Sequence, residues 1–139
     1  MKNSKAEICF IGNAIVDILF KISDEVLNKL EIPKGSMQLI DEESSDKILK
    51  YIHNPSIISG GSAANTAVGY KSFGGKCSFI GQVGNDKFGD LFSKDLNNYG
   101  VFFQDKDFLP SEKTSKSIVL VTPDAERSMN TFLGASNKF

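Results

Sequence analysis

Two polar side chains near the start of the chain have types and a spacing that could hold a substrate. Asn13 and Asp17 lie in an apolar segment, and in an extended strand residues four apart point to the same face. An ionised aspartate only accepts hydrogen bonds and can receive two hydroxyl groups at once, which suits the vicinal diol of a sugar. The alternative from this pair alone is an aspartate at a strand end that bonds to local backbone amides.

A second candidate for substrate contact is the glycine-rich run at residues 60–65 (GGSAAN). Gly60 and Gly61 precede a predicted helix, where paired glycines allow close approach of the backbone to a ligand and unusual dihedral angles. The first amides of that helix can donate to ligand oxygens, and Asn65 in the first turn can both donate and accept. Alone, the same run is also typical of a helix entry that uses glycine for tight packing.

No motif for a nucleoside triphosphate is visible in the sequence. A Walker-type loop needs a lysine directly after its second glycine, and the interval from Gly69 to Gly74 has the right length but is followed by Gly75. A dinucleotide fingerprint needs a third glycine that Gly81 and Gly84 do not supply.

Length and composition indicate one globular domain with an ordinary net charge. The chain has 139 residues, of which 40% are apolar and 24% charged, and its net charge is -1, so we expect neither a nucleic-acid nor a membrane partner. The apolar stretch 8–20 is too short for a membrane span and follows no signal-peptide pattern, which favours a cytoplasmic protein. Cys9 and Cys77 lie in apolar runs, which predicts buried thiols, with a single disulfide as the alternative, and no metal site is expected.

The elements that must position these residues alternate between strands and helices. Apolar runs predict buried strands at 7–12 and 77–83, a short strand at 56–59, and a strand at 101–104. Apolar spacing and capping residues predict helices at 25–31, 42–52, 62–73 and 87–98.

Several extended segments do not fit a plain parallel sheet. They lie at about 16–22, 36–40, 117–122 and 127–132, and the last two are predicted to form a hairpin through residues 123–126. The polar stretch 105–116 is predicted to be a loop. Strand–helix alternation favours a parallel α/β core, and the additional segments favour a small second sheet with a cleft between the sheet and the core.

In combination and in order, these pieces resemble the ribokinase-like (PfkB) carbohydrate kinase family across nearly the whole chain. Residues 12–17 (GNAIVD) are similar to the family's first strand and substrate aspartate. Residues 60–67 (GGSAANTA), 74–75 (GG) and 81–89 (GQVGNDKFG) are similar to its N-terminal signature, and residues 127–130 and 133–135 resemble the return from lid to core.

The adenosine kinase-type branch of that family is the most similar one. The segments in which this similarity lies are residues 12–17, 34–37 (KGSM) and 122–130 (TPDAERSMN). The resemblance implies a partial ribokinase-like parallel-sheet core with a small β-sheet lid. Residues 1–139 would be the N-terminal part of such a kinase, with lid segments at about 14–22, 36–40 and 101–133 and without the C-terminal ATP-binding half.

The resemblance also implies a site for a nucleoside or a sugar. The residues implied to bind this substrate are Asn13, Asp17, Met37, Gly60, Gly61, Asn65 and Arg127. Asp17 would hold sugar hydroxyls, Met37 would line the pocket around the rest of the substrate, and the glycine pair would be the hinge for lid closure. Arg127 would reach the substrate or its phosphoryl end.

The family's catalytic base lies in a Gly-Ala-Gly-Asp-type run of the C-terminal half, and no Gly-x-Gly-Asp occurs here. We therefore expect no catalytic residue in this chain and no activity of the chain alone, because the base and the phosphoryl donors supply most of the rate. ATP and Mg²⁺ would serve the longer parent protein, and neither is expected to bind specifically to this chain.

The favoured function is the substrate-binding half of an ATP-dependent nucleoside or sugar kinase, with adenosine preferred. A sugar kinase of the fructokinase or ribokinase type is one alternative, and a non-catalytic module that binds a nucleoside or sugar is another. A third is a small α/β domain whose glycines and aspartates are purely structural. A homodimer through the lid or an exposed sheet edge is also expected for such a chain.

Overall fold

Two β-sheets, one parallel and one mixed, organise the chain. A computed structural model describes residues 6–103 and 111–138. The described strands are β1 (Ile8–Ile11), β2 (Ile15–Lys21), β3 (Met37–Leu39), β4 (Ser56–Gly60), β5 (Cys77–Ile80), β6 (Phe102–Phe103), β7 (Ser115–Val121) and β8 (Arg127–Phe132). The described helices are α1 (Asp24–Lys29), α2 (Glu42–Leu49), α3 (Ser62–Ser72), α4 (Lys87–Asn98) and a 3-10 helix at Gly134–Lys138.

Side-chain caps begin three of the helices where the sequence predicts them. Ser23, Asp41 and Asp86 each accept a hydrogen bond from a backbone amide in the first turn of α1, α2 and α4. These bonds satisfy amides that have no partner within the helix. Within residues 6–103 and 111–138, no helix combines the length and apolar character that crossing a membrane requires.

The three-stranded sheet is parallel, with the order β1-β5-β6. Helix α4 connects β5 to β6, which run in the same direction, as a βαβ unit requires, whereas α3 leads into β5 from β4 of the other sheet. On one face of this sheet the rings of Phe79, Phe92 and Phe103 pack together with centroids 5.4–5.8 Å apart. This sheet is the predicted parallel α/β core.

The other face of the three-stranded sheet is exposed, which corrects the prediction of a buried strand at 7–12. Ile11, Ile80 and Phe102 all lie on this face with large exposed fractions. Cys9 is also exposed there, whereas Cys77 is buried on the opposite face. The prediction that both thiols are buried is therefore wrong for Cys9, because successive residues of β1 point to opposite faces.

The five-stranded sheet is mixed, with the order β3-β8-β7-β2-β4. β7 and β8 form the predicted antiparallel hairpin, and the turn between them is closed by the Thr122 amide, which donates to the Glu126 carbonyl at 3.0 Å. Helices α1 and α2 cover one face with an apolar cluster that includes Leu27, Ile48 and Ile118. This sheet is the second sheet that the sequence predicts.

Two strands lie in a different sheet from the one expected. β6 falls inside the expected lid segment 101–133, yet it pairs with β5 in the three-stranded sheet. The reason is that α4 returns the chain to the parallel sheet, as the crossover between two parallel strands requires. β4 joins the five-stranded sheet beside β2 although it was absent from the expected lid segments.

The loop predicted at 105–116 agrees only in part. Residues 105–110 lie outside the described residues, and Ser115 and Lys116 already belong to β7. Their polar character obscured the start of this strand in the sequence.

Candidate functional site

Asp17 lies on the face of β2 that points away from the covering helices. Val16 and Ile18, its neighbours in the strand, are fully buried in the apolar core, while Asp17 is half-buried on the opposite face. The register aligns Asp17 with Ile58 of β4 and with Ser117 of β7. We call this side of the five-stranded sheet the Asp17 face, and Asp17 stands on an interior strand of it.

Gly60 provides the space for the Asp17 carboxylate. Gly60 pairs with Ile15, so it lies diagonally across from Asp17 on the same face. A β-carbon built on Gly60 would lie 2.2 Å from Oδ2 and 2.6 Å from Cγ of Asp17. Any side chain at this position would therefore displace the carboxylate, and the first glycine of the pair is required by this contact.

The Asp17 carboxylate has no hydrogen-bond donor among residues 6–103 and 111–138. Burial raises the pKa of its carboxyl group, and no cation among the described residues opposes that effect. The alternative that Asp17 bonds to local backbone amides is therefore wrong for the described part of the chain. A half-buried acceptor without donors is suited to receive hydroxyl groups from a ligand.

Gly61 brings the start of α3 against the backbone of Asn13. Gly61 has a φ of 92°, in the region that favours glycine, and a β-carbon on it would lie 2.6 Å from the Asn13 carbonyl oxygen. It is the N-cap of α3 and makes no side-chain cap bond, so the amides of residues 62–64 have no capping side chain. These amides begin two residues after Gly60, the glycine next to Asp17.

Asn13 and Asn65 flank this junction. Asn13 is exposed and precedes β2, so the prediction that it shares a strand face with Asp17 is wrong. The β2–β4 ladder stops at the Ile15–Gly60 pair because the chain turns into α3 at Gly61. Asn65 is exposed in the first turns of α3, where its backbone N–H donates to the Gly61 carbonyl at 2.9 Å.

The backbone before β2 is held in place by a serine pair. The hydroxyl oxygens of Ser115 and Ser136 are 2.7 Å apart, and the Ser136 hydroxyl donates to the Ala14 carbonyl at 3.4 Å. Ser115 also donates to the carbonyl of Leu133. Because these groups are buried and bonded, they fix the segment that carries Asn13 and Asp17 against the end of β8.

A row of hydroxyl groups continues from Asp17 across the sheet, and the sequence reasoning missed it. The register places Ser117 beside Asp17 and Thr131 beside Ser117. The Thr131 hydroxyl donates to Ser117 Oγ at 3.1 Å, which leaves the Ser117 proton available. Alternating serines at 115 and 117 were the only signal, and their position next to Asp17 depends on strand pairing.

An apolar row lies beside this polar row on the same face. Leu19 pairs with Val119, Val119 with Met129, and Met129 with Met37. Met37 and Met129 are 62% and 37% exposed, so the row is open to solvent at the β3 edge. Met37 stands three strands from β2, roughly 14 Å from Leu19. The Asp17 face thus combines hydroxyl-binding groups with an apolar surface.

Arg127 is not brought next to Asp17. It pairs with Val121, which pairs with Lys21, so it lies at the far end of the Asp17 face and is exposed. Arg127 is level with Lys21, which is four residues along β2 from Asp17, and it stands two strands away from β2. Its backbone is therefore roughly 16 Å from that of Asp17.

The described residues supply no evident metal site. Among them, no three His, Cys, Asp or Glu side chains are grouped closely enough to hold an ion. The Asp17 face therefore offers contacts to hydroxyl groups and to apolar surface.

Comparison with known proteins links this geometry to a family. Residues 34–139 match the family described as pfkB family carbohydrate kinase. A probable fructokinase-6, chloroplastic, from Arabidopsis thaliana is 38% identical over 68 residues, which are 49% of this chain and 18% of that protein.

Two solved structures are similar over almost all of the chain. Adenosine kinase from Sinorhizobium meliloti is 39% identical with a TM-score of 0.85, covering 98% of this chain and 42% of that one. A probable sugar kinase from Rhizobium etli CFN 42 is also 39% identical, with a TM-score of 0.84, covering 94% of this chain and 40% of that one. The chain therefore spans well under half the length of the solved structures that it resembles.

Proposed function

The chain belongs to the pfkB family of carbohydrate kinases, which confirms the family resemblance and the ribokinase-like α/β fold. From this premise we propose that it supplies the substrate-binding half of an ATP-dependent kinase that phosphorylates a hydroxyl group of a nucleoside or sugar. Adenosine is the preferred substrate in this proposal.

The observation that carries the proposal is the Asp17 carboxylate. It is half-buried, lies over Gly60 and has no hydrogen-bond donor among the described residues. Two adjacent hydroxyl groups of a ribose ring would supply the missing donors and would favour the ionised carboxylate. The free proton of Ser117, in the same row, can donate to a further ring or hydroxyl oxygen.

The apolar row supports a nucleoside over a simple sugar. Leu19, Val119 and Met129 lie directly beside the polar row, and they would contact a flat apolar base while Asp17 holds the ribose. Met37 extends this surface at the β3 edge. Burial of a base against these side chains contributes about 25 cal/mol per Å² of apolar surface removed from water.

The junction of β4 and α3 would supply the remaining contacts to the sugar. We propose that Gly61 and Asn65 contact the sugar and that the glycine pair is the hinge between the two sheets. Asn13 lies against Gly61 through its carbonyl oxygen, so a movement at Gly61 would move Asn13 as well. Arg127, at the far end of the Asp17 face, would reach a substrate only through a change in the position of β8.

A sugar kinase is the second candidate function. Its support is the likeness to the fructokinase from Arabidopsis thaliana and to the probable sugar kinase from Rhizobium etli. A fructose or ribose molecule would use the same Asp17 and Ser117 contacts and would leave the apolar row largely uncovered. The two candidates therefore differ in the role of Leu19 and Met129.

In this proposal ATP and Mg²⁺ are bound by residues other than those described here. The sequence contains no Walker-type loop and no Gly-x-Gly-Asp, and the described residues form no metal cluster. We propose that the 139-residue chain binds the substrate without transferring a phosphoryl group.

Calorimetric titration of the purified chain with adenosine, ribose and fructose tests the proposal. We expect adenosine to bind most tightly, and we expect Asp17→Asn to weaken its binding by about tenfold or more, because a hydrogen bond to a charged group contributes about 1.5–3 kcal/mol. Asp90→Asn, an exposed carboxylate on α4, is the matched control and should not change the affinity.

Two results would contradict parts of this proposal. Equal affinity of wild type and Asp17→Asn for adenosine would show that Asp17 does not bind the substrate. Tighter binding of fructose than of adenosine would favour the sugar kinase. A radiometric assay with ATP, Mg²⁺ and adenosine tests the activity, and turnover by the purified chain would contradict the assignment of catalysis to other residues.

A further inference from the structure

Lys116 is a buried cation on the face of β7 opposite to the Asp17 face. It pairs with Val16, a core residue, and its side chain is only 4% exposed. Its one ion pair is long, at 3.7 Å to Oδ1 of the half-exposed Asp46, and no acceptor among the described residues lies within hydrogen-bond distance of its Nζ. A buried ammonium group has three donors and is costly when they are unsatisfied.

The rings around Lys116 only partly replace the missing acceptors. Its Nζ lies 5.2 Å from the ring centroid of Phe132 and 5.9 Å from that of Phe88. Burial lowers the pKa of Lys116, and the charges of Asp46, Asp86 and Glu42 oppose that shift without reversing it. The ammonium group is therefore buried near carboxylates, but no described carboxylate is close enough to accept a hydrogen bond from it.

A cavity of about 400 Å³ opens beside Lys116. Its apolar wall is formed by Ile18 of β2, Leu49 of α2, Ile57 of β4 and the ring of Phe88 at the start of α4. This volume falls within the range of small-molecule sites, and such sites combine apolar walls with a few polar groups.

Of the other charged groups that line the cavity, Lys113 and Asp86 are engaged in ion pairs or hydrogen bonds, and Lys87 lies 5.0 Å from the ring centroid of Phe88. Lys113 contacts Glu42 at 2.5 Å and Asp46 at 3.5 Å, so Asp46 is shared between two lysines. Asp86 accepts hydrogen bonds from the Thr114 amide at 2.9 Å and from its hydroxyl at 2.7 Å, in addition to capping α4. Three lysines and two aspartates line the cavity, and of these lysines Lys116 is the buried one.

We propose that this cavity is a second binding site, which takes a small organic anion with a compact apolar body. The carboxylate or phosphate monoester of the ligand bonds to Lys116, and its apolar body packs against Ile18, Leu49 and Ile57. Carboxylates and phosphate monoesters share the required chemistry, a charged acceptor head that can receive the ammonium donors.

The site has a structural consequence because its walls come from both layers of the fold. β2, β4 and β7 belong to the five-stranded sheet, whereas α4 packs on the three-stranded sheet. A ligand in the cavity would therefore contact residues of both layers. We therefore expect bound anion to raise the unfolding temperature of the chain, as any ligand specific for the folded state does.

Titration of the purified chain with benzoate and with phenyl phosphate tests the site, and benzyl alcohol is the neutral comparison. Calorimetry measures the affinity, and methyl NMR spectra report shifts at the methyl groups of Ile18, Leu49 and Ile57. We expect both anions to bind at least about tenfold more tightly than the alcohol, since a charged hydrogen bond accounts for that factor or more.

Two variants separate charge from volume. Lys116→Met removes the ammonium group, and Ile57→Trp keeps it but fills the cavity from a strand position that is 36% exposed. Each should weaken anion binding about tenfold or more. Lys29→Met, which removes an exposed lysine from α1, should bind as the wild type does, and thermal unfolding confirms that each variant is folded.

The proposal is overturned by any of three results: no anion binding to the wild type, equal affinity for benzyl alcohol, or wild-type affinity in folded Lys116→Met. Shifts confined to methyl groups outside the cavity would overturn it as well. Asp17→Asn should leave anion binding unchanged, so failure of this site and failure of the Asp17 assignment are distinguishable. If only one of the two anions binds, its head group defines the ligand class.

Discussion

The carboxylate of Asp17 occupies the space that a β-carbon on Gly60 would need. The two residues lie diagonally across the β2–β4 ladder, and a β-carbon on Gly60 would approach Oδ2 of Asp17 to 2.2 Å. The aspartate and the glycine-rich run, 43 residues apart in the numbering, therefore form one unit. A change at either residue should alter the same binding event.

Gly60→Ala should abolish or strongly weaken adenosine binding by displacing the Asp17 carboxylate. The clash involves a strand backbone and a half-buried side chain, so we also expect a loss of stability of about 1–3 kcal/mol. Gly69→Ala in α3 is the matched control, because a β-carbon there meets no atom within 4 Å and alanine favours a helix. Calorimetry and urea unfolding measure both effects, and wild-type binding by Gly60→Ala would contradict the contact.

Gly61→Ala should destabilise the chain more than Gly74→Ala. Both glycines have a positive φ, 92° and 90°, but only at Gly61 would a β-carbon also meet a backbone oxygen, that of Asn13, at 2.6 Å. The strain of a positive φ costs about 1–2 kcal/mol, and it is common to both variants. Urea unfolding measures the free energy of unfolding of both variants, and the difference between them is the destabilisation caused by the clash with Asn13. An equal loss of stability in the two variants would show that this clash adds nothing.

Asp17→Asn should stabilise the chain near neutral pH while it weakens ligand binding. Burial raises the pKa of the folded-state carboxyl group, so the folded protein holds this proton more tightly than the unfolded chain does. The stability contributed by this group is present below the unfolded pKa and is lost as the pH rises through the folded one. The variant should therefore unfold at a higher temperature than wild type at about pH 7, with a smaller difference at about pH 3.

Thermal unfolding of both proteins across this range measures that difference. Asp90→Asn serves again as the control for removing an exposed carboxylate from the same chain. A variant that is less stable than wild type at neutral pH would show that the Asp17 carboxylate has a stabilising partner in solution.

Met129→Thr should weaken adenosine binding more than ribose binding. Met129 belongs to the apolar row and is 37% exposed, so its replacement with a residue that suits a strand should change stability little. Phe102→Thr, at an exposed apolar position of the three-stranded sheet, is the control. Calorimetry measures the affinity of the variant for both ligands. An equal loss of affinity for adenosine and for ribose would show that the base of adenosine does not contact Met129.

Asp86→Ala should lower stability by about 2 kcal/mol or more. Burial alone would raise the pKa of the Asp86 carboxyl, but its hydrogen bonds with Thr114, Gly89 and Phe88 lower it below its ordinary value. Its contribution is therefore present above the unfolded pKa and is lost as the pH falls through the folded pKa. Urea unfolding at about pH 7 and pH 3 should show a loss that shrinks in acid, and a loss independent of pH would exclude the charge as its cause.

Local signals in the sequence determined most of the elements of this protein. Ser23, Asp41 and Asp86 begin helices because a side-chain oxygen that bonds to first-turn amides acts over three residues or fewer. The turn before Arg127 was also predictable, since turns depend on adjacent residues. Asp17 and the glycine pair could be selected as site residues because their types restrict what they can do.

Only the tertiary structure decided which of these elements are neighbours. The placement of β4 and β6, the exposure of Cys9 and the row that joins Asp17 to Ser117 and Thr131 all depend on strand order and register. Lys116 read as a polar loop residue in the sequence, yet pairing with Val16 places it in the interior. The physical reason is that strand pairing joins residues far apart in the chain, and a shift of one residue would exchange the two faces of a strand.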